Sequence, residues 1–169
     1  MVGLIGLSET LIPGKVVKTR EEMNKLKLKK MANIRHNLTI KASAEQVFDA
    51  ITSEKGLRGW WTNSVTAKPE EGHINSFKFG DKYFNKMKIT TLNFPIEVIW
   101  ECVDGDKEWI GTNLSFEMNE KEGTTLLKFS HLNWAGETEF FGFCSHHWGR
   151  YLDSLKSLCE TGNGQPFTE

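Results

Sequence analysis

The sequence has no uninterrupted apolar stretch long enough for a bilayer-crossing helix, which excludes a helical membrane protein. It also has no surplus of charge. Lys and Arg number 21 against 22 Asp and Glu, a net −1 at pH 7, so nothing electrostatic draws the chain to nucleic acid or to an anionic membrane surface. Cysteine is sparse: Cys102, Cys144 and Cys159 cannot all pair within one chain. The first apolar run, Met1 to Leu7, lacks a basic leader and is too short for a secretory signal. Both features point to a cytoplasmic protein with free thiols. A glycine-rich phosphate loop, a CxxC pair, an HExxH run and a Ser-His-Asp order are likewise missing, and with them the common signatures of nucleotide, zinc and hydrolase chemistry. No cofactor, no metal and no catalytic set is expected.

What is present is one domain's length, 169 residues, with 38% hydrophobic side chains to form a core. Its charge is uneven. Residues 1–30 carry seven Lys or Arg against three Asp or Glu, and residues 31–169 carry fourteen against nineteen. In the basic leader, Pro13-Gly14 signals a turn, and Thr19-Arg20-Glu21-Glu22 fits a capping box opening a short helix over about residues 20–29. Met23, Leu26 and Leu28 offer that helix little surface to dock with. Residues 1–30 are therefore expected as an N-terminal extension, either a frayed arm or residues upstream of a native start at Met31, and residues 31–169 as the folded domain.

The domain begins with alternating Ile34, His36, Leu38 and Ile40, the period of a half-buried strand over about residues 33–42. Ser43-Ala44-Glu45-Gln46 is a second capping box, and Val47, Phe48 and Ile51 at helical spacing predict a helix over about residues 44–53. Gly56 and Gly59 then limit residues 54–59 to a short helical turn before Trp60-Trp61, of which one is expected under the sheet and one near its rim. Six further strands follow, at about residues 63–68, 73–80, 82–92, 96–103, 109–118 and 124–132, separated by turn chemistry such as Gly80-Asp81 and Asp104-Gly105-Asp106. From about residue 137 to 160, Phe140, Cys144, Trp148, Tyr151, Leu152 and Leu155 form an amphipathic stripe, which Gly162 ends. The expected fold is α+β: a curved antiparallel sheet of about seven strands around a long C-terminal helix, with two short helices after the first strand.

Several segments, in this order, carry a resemblance: Trp60-Trp61-Thr62, Phe77-Lys78-Phe79-Gly80, Trp100-Glu101-Cys102, Trp109-Ile110-Gly111-Thr112, His131-Leu132-Asn133-Trp134 and His147-Trp148-Gly149-Arg150-Tyr151-Leu152. Over about residues 31–166 the chain resembles the SRPBCC superfamily, which shares the helix-grip fold of the birch-pollen allergen and of steroidogenic acute regulatory lipid-transfer domains. Within it the chain is similar to the C-terminal domain of the activator of heat-shock-protein-ninety ATPase. The resemblance implies a fold and a cavity rather than a reaction. Thirty leader residues do not amount to the separate N-terminal domain by which those activators bind the chaperone.

Strand alternation and helix face nominate the lining of such a cavity. From the helical pair come Phe48 and Trp60, and from the middle strands Phe77, Phe79, Met87 and Trp100. The last two strands add Phe116, Phe129 and His131, and the long helix adds Phe140, Phe143, Cys144 and His147. So aromatic a set favours a flat or ring-containing ligand, with polar selectivity from His131, His147 and Tyr83. The expected function is binding of a small hydrophobic molecule between sheet and helix. The alternatives are a chaperone-associated interaction protein and a cyclase- or hydrolase-type enzyme using the same space. The expected state is a monomer or homodimer.

Overall fold

The structure is a computed structural model that describes residues 19–23 and 31–168. In the first segment, Glu22 N–H donates to the Thr19 hydroxyl and Thr19 N–H donates to the Glu22 carboxylate, so the capping box forms. The rest of the helix expected over residues 20–29 lies outside the described residues.

Residues 31–169 form a unit of their own. Strand β1 (Ala32–Ile40) leads into helix α1 (Ala44–Thr52) and helix α2 (Glu54–Trp60). Strands β2 (Ser64–Thr66), β3 (Ile74–Phe79), β4 (Tyr83–Asn93), β5 (Glu97–Asp104), β6 (Asn113–Lys121) and β7 (Thr124–Trp134) follow, and helix α3 (Glu139–Thr161) ends the fold. All seven strands join one antiparallel sheet in the order β1-β7-β6-β5-β4-β3-β2. The first strand thus pairs with the last, Ile34 opposite His131 and His36 opposite Phe129. Register shifts between β4 and β5 bend the sheet. Its covered face holds Met87, Ile89, Val98, Trp100, Leu114, Phe116, Leu127 and Phe129, all essentially without exposure, under α3 and the helical pair. This is the expected α+β helix-grip architecture.

The caps explain where the helices begin. Ser43 and Gln46 close the box reciprocally at α1, a motif worth about 1 kcal/mol. Ser53 serves twice: its N–H donates to Asp49 at the end of α1, and its hydroxyl accepts from Gly56 N–H at the start of α2. Thr138 caps α3 by accepting from Phe141 N–H and donates its hydroxyl hydrogen to Glu108 at 2.6 Å, tying the helix start to the loop after β5.

Two expectations are corrected. Residues 54–60 form a full seven-residue helix, because Gly56 does not break it. A Cβ at Gly56 would stand 2.5 Å from the Ala50 Cα, so this glycine is what lets α2 cross α1 in contact. The strand expected from residue 109 starts only at Asn113. Residues 109–112 are a turn, held by Trp109 N–H to Asp106 O and Thr112 N–H to Trp109 O, each 2.9 Å.

Candidate functional site

A cavity of about 600 Å³ opens between the sheet and the first half of α3. Its sheet side is formed by Phe79, Tyr83 and Asn85, and its loop side by Gly105, Asp106 and Trp109. The helix contributes Phe140, Phe143, Cys144, His147, Trp148 and Tyr151, which fall on one face because they recur every three or four residues. Trp61 lies behind them, and Phe167 of the C-terminal tail closes one end. The tail is fastened there by backbone: Phe167 N–H donates to Trp61 O at 2.9 Å, and Asn63 N–H to Phe167 O at 3.1 Å. Exposed Tyr83 and Phe143 flank the mouth, while Trp61, Trp109 and Trp148 are buried.

The three tryptophans form a continuous wall. Trp148 lies 5.2 Å from Trp61 and stacks on Trp109 at 5.9 Å with 23° between planes. Behind that wall sits His131, which has no exposed surface. Trp148 Nε1 donates to His131 Nδ1 at 3.1 Å, so the imidazole hydrogen belongs on Nε2, which donates to the Thr112 hydroxyl at 2.8 Å. Thr112 donates onward to Trp109 O at 2.6 Å. Burial lowers the His131 pKa to about 3, in accord with a neutral ring whose two nitrogens are both engaged. Cys144 accepts a hydrogen bond from Trp109 Nε1 at 3.3 Å, and burial pushes its thiol up to about 11. That thiol is a packing group rather than a ready nucleophile. His147 places Nδ1 2.9 Å from the Phe143 carbonyl, one turn earlier on its own helix, which directs Nε2 as the remaining hydrogen-bonding atom of its ring. Among the described residues no three His, Cys, Asp or Glu side chains converge as a metal site would require.

Of the residues nominated from sequence, Phe79, Phe140, Phe143, Cys144 and His147 meet at this cavity. Phe48, Trp60, Phe77 and Met87 lie instead in the close-packed core, as do Trp100, Phe116, Phe129 and His131. Strand alternation identifies a covered face but not which part of it a helix fills and which it leaves open. Trp60 and Trp61 do not diverge to core and rim: both are buried, with rings 5.7 Å apart and 11° from parallel. Trp60 Nε1 bonds Ala50 O, and Trp61 alone reaches the cavity. Sequence reasoning missed Trp61, Asn85, Trp109, Trp148, Tyr151 and Phe167 as lining. For Trp148 and Tyr151 the signal was available, since both share the helix stripe with Cys144.

The model of the family described as Activator of Hsp90 ATPase homolog 1-like protein matches residues 41–160. Among solved structures, the Aha1 dimer from Colwellia psychrerythraea is 34% identical, with 79% of this chain and 99% of that chain covered and a TM-score of 0.73. Protein MLL2253 from Mesorhizobium loti is 14% identical over 75% of this chain and 96% of its own, with a TM-score of 0.66. The Bacillus halodurans protein BH1534 is 20% identical over 76% and 97%, with a TM-score of 0.62. These last two likenesses extend to the fold. No curated protein matches the chain.

Proposed function

The chain belongs to the family of Activator of Hsp90 ATPase homolog 1-like proteins, and from that membership and the cavity we propose that it binds a small hydrophobic molecule between sheet and C-terminal helix. One observation carries the reading. The space of about 600 Å³ is walled largely by aromatic rings, three of them tryptophans, and it opens to solvent beside exposed Tyr83 and Phe143. A residual core void would have no such mouth, and ligand sites of this size are typically apolar with a few polar groups. The thiol at the site, Cys144, is held in its neutral form by burial and suits an apolar wall.

The test is native against denaturing mass spectrometry on protein purified from its own host, followed by thermal shifts with ring-containing apolar compounds. A non-covalent mass lost on denaturation supports the reading. So does a rise of several degrees in Tm, since ligand at a hundredfold its Kd adds about 2.7 kcal/mol to stability. An empty mass together with unmoved Tm values overturns it.

A second reading rests on the 34% identity to a protein described as an Aha1 dimer. It is a self-associating partner of a chaperone ATPase whose surface, rather than its cavity, does the work. Unchanged chaperone ATPase rates and a monomeric mass in solution would remove it.

A further inference from the structure

Asn85 is an anomaly on the covered face of β4. The residues facing inward along this strand are Asn85, Met87 and Ile89, and each is buried. The period of two thus places a carboxamide where the next two inward positions carry apolar side chains. Asn85 is 8% exposed, and it lines the cavity. Among the described residues no protein group hydrogen-bonds its side-chain amide, and neither amide atom is sealed from solvent, so the amide is open to the cavity. Asn75, also turned inward on β3, accepts from Lys68 N–H at 3.1 Å while its Nδ2 is buried without a partner. An amide that the chain leaves unbonded and open to a cavity is free to bond a ligand there.

The neighbouring loop is shaped around this side chain. Gly105 has φ +142°, and a Cβ there would stand 2.9 Å from Asn85 Oδ1. It would also stand 2.9 Å from the Phe84 backbone O, so glycine is required here by both, and the Asn85 carbonyl lies on the loop side with the NH₂ end of the amide left to serve the cavity. The nearby charges are of another kind: Lys82 and Lys107 are exposed at the rim, and Asp106 already accepts from Glu108 N–H at 2.8 Å. The buried polar point of the sheet wall is uncharged.

We infer that the cavity recognises a neutral ring compound through a carbonyl-type oxygen that accepts a hydrogen bond from the Asn85 amide, the apolar remainder lying along the tryptophan wall. This rests on the cavity being a binding site. It makes Asn85 the residue that selects oxygenated rings over plain hydrocarbons, because a ketone that left water for an apolar pocket without a donor would bind more weakly than its parent hydrocarbon.

9-Fluorenone and fluorene are near-identical three-ring probes that differ in one carbonyl oxygen. Their affinities for the wild-type protein and for Asn85→Leu are measured by titration, with circular dichroism reporting the fold of the variant. In parallel, the side-chain NH₂ resonances of Asn85 are followed by ¹⁵N NMR in the wild type, which needs no variant to fold. The expected result is fluorenone binding about five- to tenfold tighter than fluorene in the wild type, the gain of one hydrogen bond. The Asn85 NH₂ signals move with fluorenone only, and Asn85→Leu loses or inverts the preference. Equal affinities in the wild type, or NH₂ signals that respond alike to both probes, overturn the anchor while leaving the cavity reading intact. Binding of neither probe to the wild type overturns the anchor, and together with an empty native mass and unmoved Tm values across the ring compounds it overturns the cavity reading as well.

Discussion

Trp148 donates its indole hydrogen to His131 Nδ1 across 3.1 Å, so a ring of the cavity wall is held from behind by an imidazole with no access to solvent. Protonating that imidazole would set a second N–H against the indole N–H. His131 is therefore a proton-sensitive brace of the wall rather than the proton carrier that an enzyme reading would assign to it.

The brace predicts acid sensitivity. Burial lowers the His131 pKa to about 3 in the fold, against about 6.5 in an unfolded chain. Between those values the unfolded state holds the proton and the folded state does not, so stability is fully present above about pH 6.5 and is lost as pH falls toward 3. The expected slope from this one group is up to about 1.4 kcal/mol per pH unit. Urea unfolding at pH 6.5, 5.5 and 5.0 measures it above the range where most carboxylates titrate. His131→Gln, which keeps an acceptor for Trp148, should flatten the slope by about one proton. An unchanged slope would show that His131 does not set it.

Cys144 should be chemically quiet. With a thiol pKa of about 11, about one molecule in a thousand carries thiolate at pH 8, against roughly a quarter for a free cysteine. Alkylation by iodoacetamide, followed by peptide mass spectrometry, should be slower than for free cysteine by at least about a hundredfold. Reaction at the free-cysteine rate would point to an activated thiol and favour an enzyme.

Gly56→Ala should destabilise the fold by about 2–4 kcal/mol. The added methyl lands 2.5 Å from Ala50 Cα and 2.6 Å from Ala50 O, both backbone, so one helix must move off the other. Chemical denaturation measures the loss, and a change under about 0.5 kcal/mol would show that the crossing yields easily.

Phe167→Ala removes the ring that closes one end of the cavity against Phe79, at 5.8 Å, and leaves the tail's backbone bonds to Trp61 and Asn63 in place. The expected cost is about 1–2 kcal/mol, below that of a fully buried phenylalanine because the ring is partly exposed. Larger ring compounds should bind the variant better than the wild type. Thermal shifts across a size series would show it, and an unchanged size preference would remove Phe167 from the wall.

Much of the fold was legible because its signals are local. Ser43 and Gln46 announce α1, Gly162 ends α3, and alternation through Val98 and Trp100 marks an inward strand face. The cavity was less legible because its wall depends on tertiary placement. Trp109 reads as the start of a strand, yet it is folded over the site by a turn fixed by Asp106. Phe167 lies beyond the last helix, where no periodicity speaks for it, and it joins the wall through backbone bonds to residues about a hundred positions earlier. Asn85 shows no motif. Its meaning appears only when its neighbours on three sides are known, one of them a glycine from the next hairpin.

Ser53 closes α1 and opens α2 with the same residue, so no spare chain lies between the two helices. One residue inserted there would break the shared cap and move α2 off the crossing that Gly56 makes with Ala50. That crossing is what places Leu57 and Trp60 in the core and Trp61 in the cavity wall. The length of this joint, together with the bare Cα of Gly56, sets which way the tryptophan wall faces.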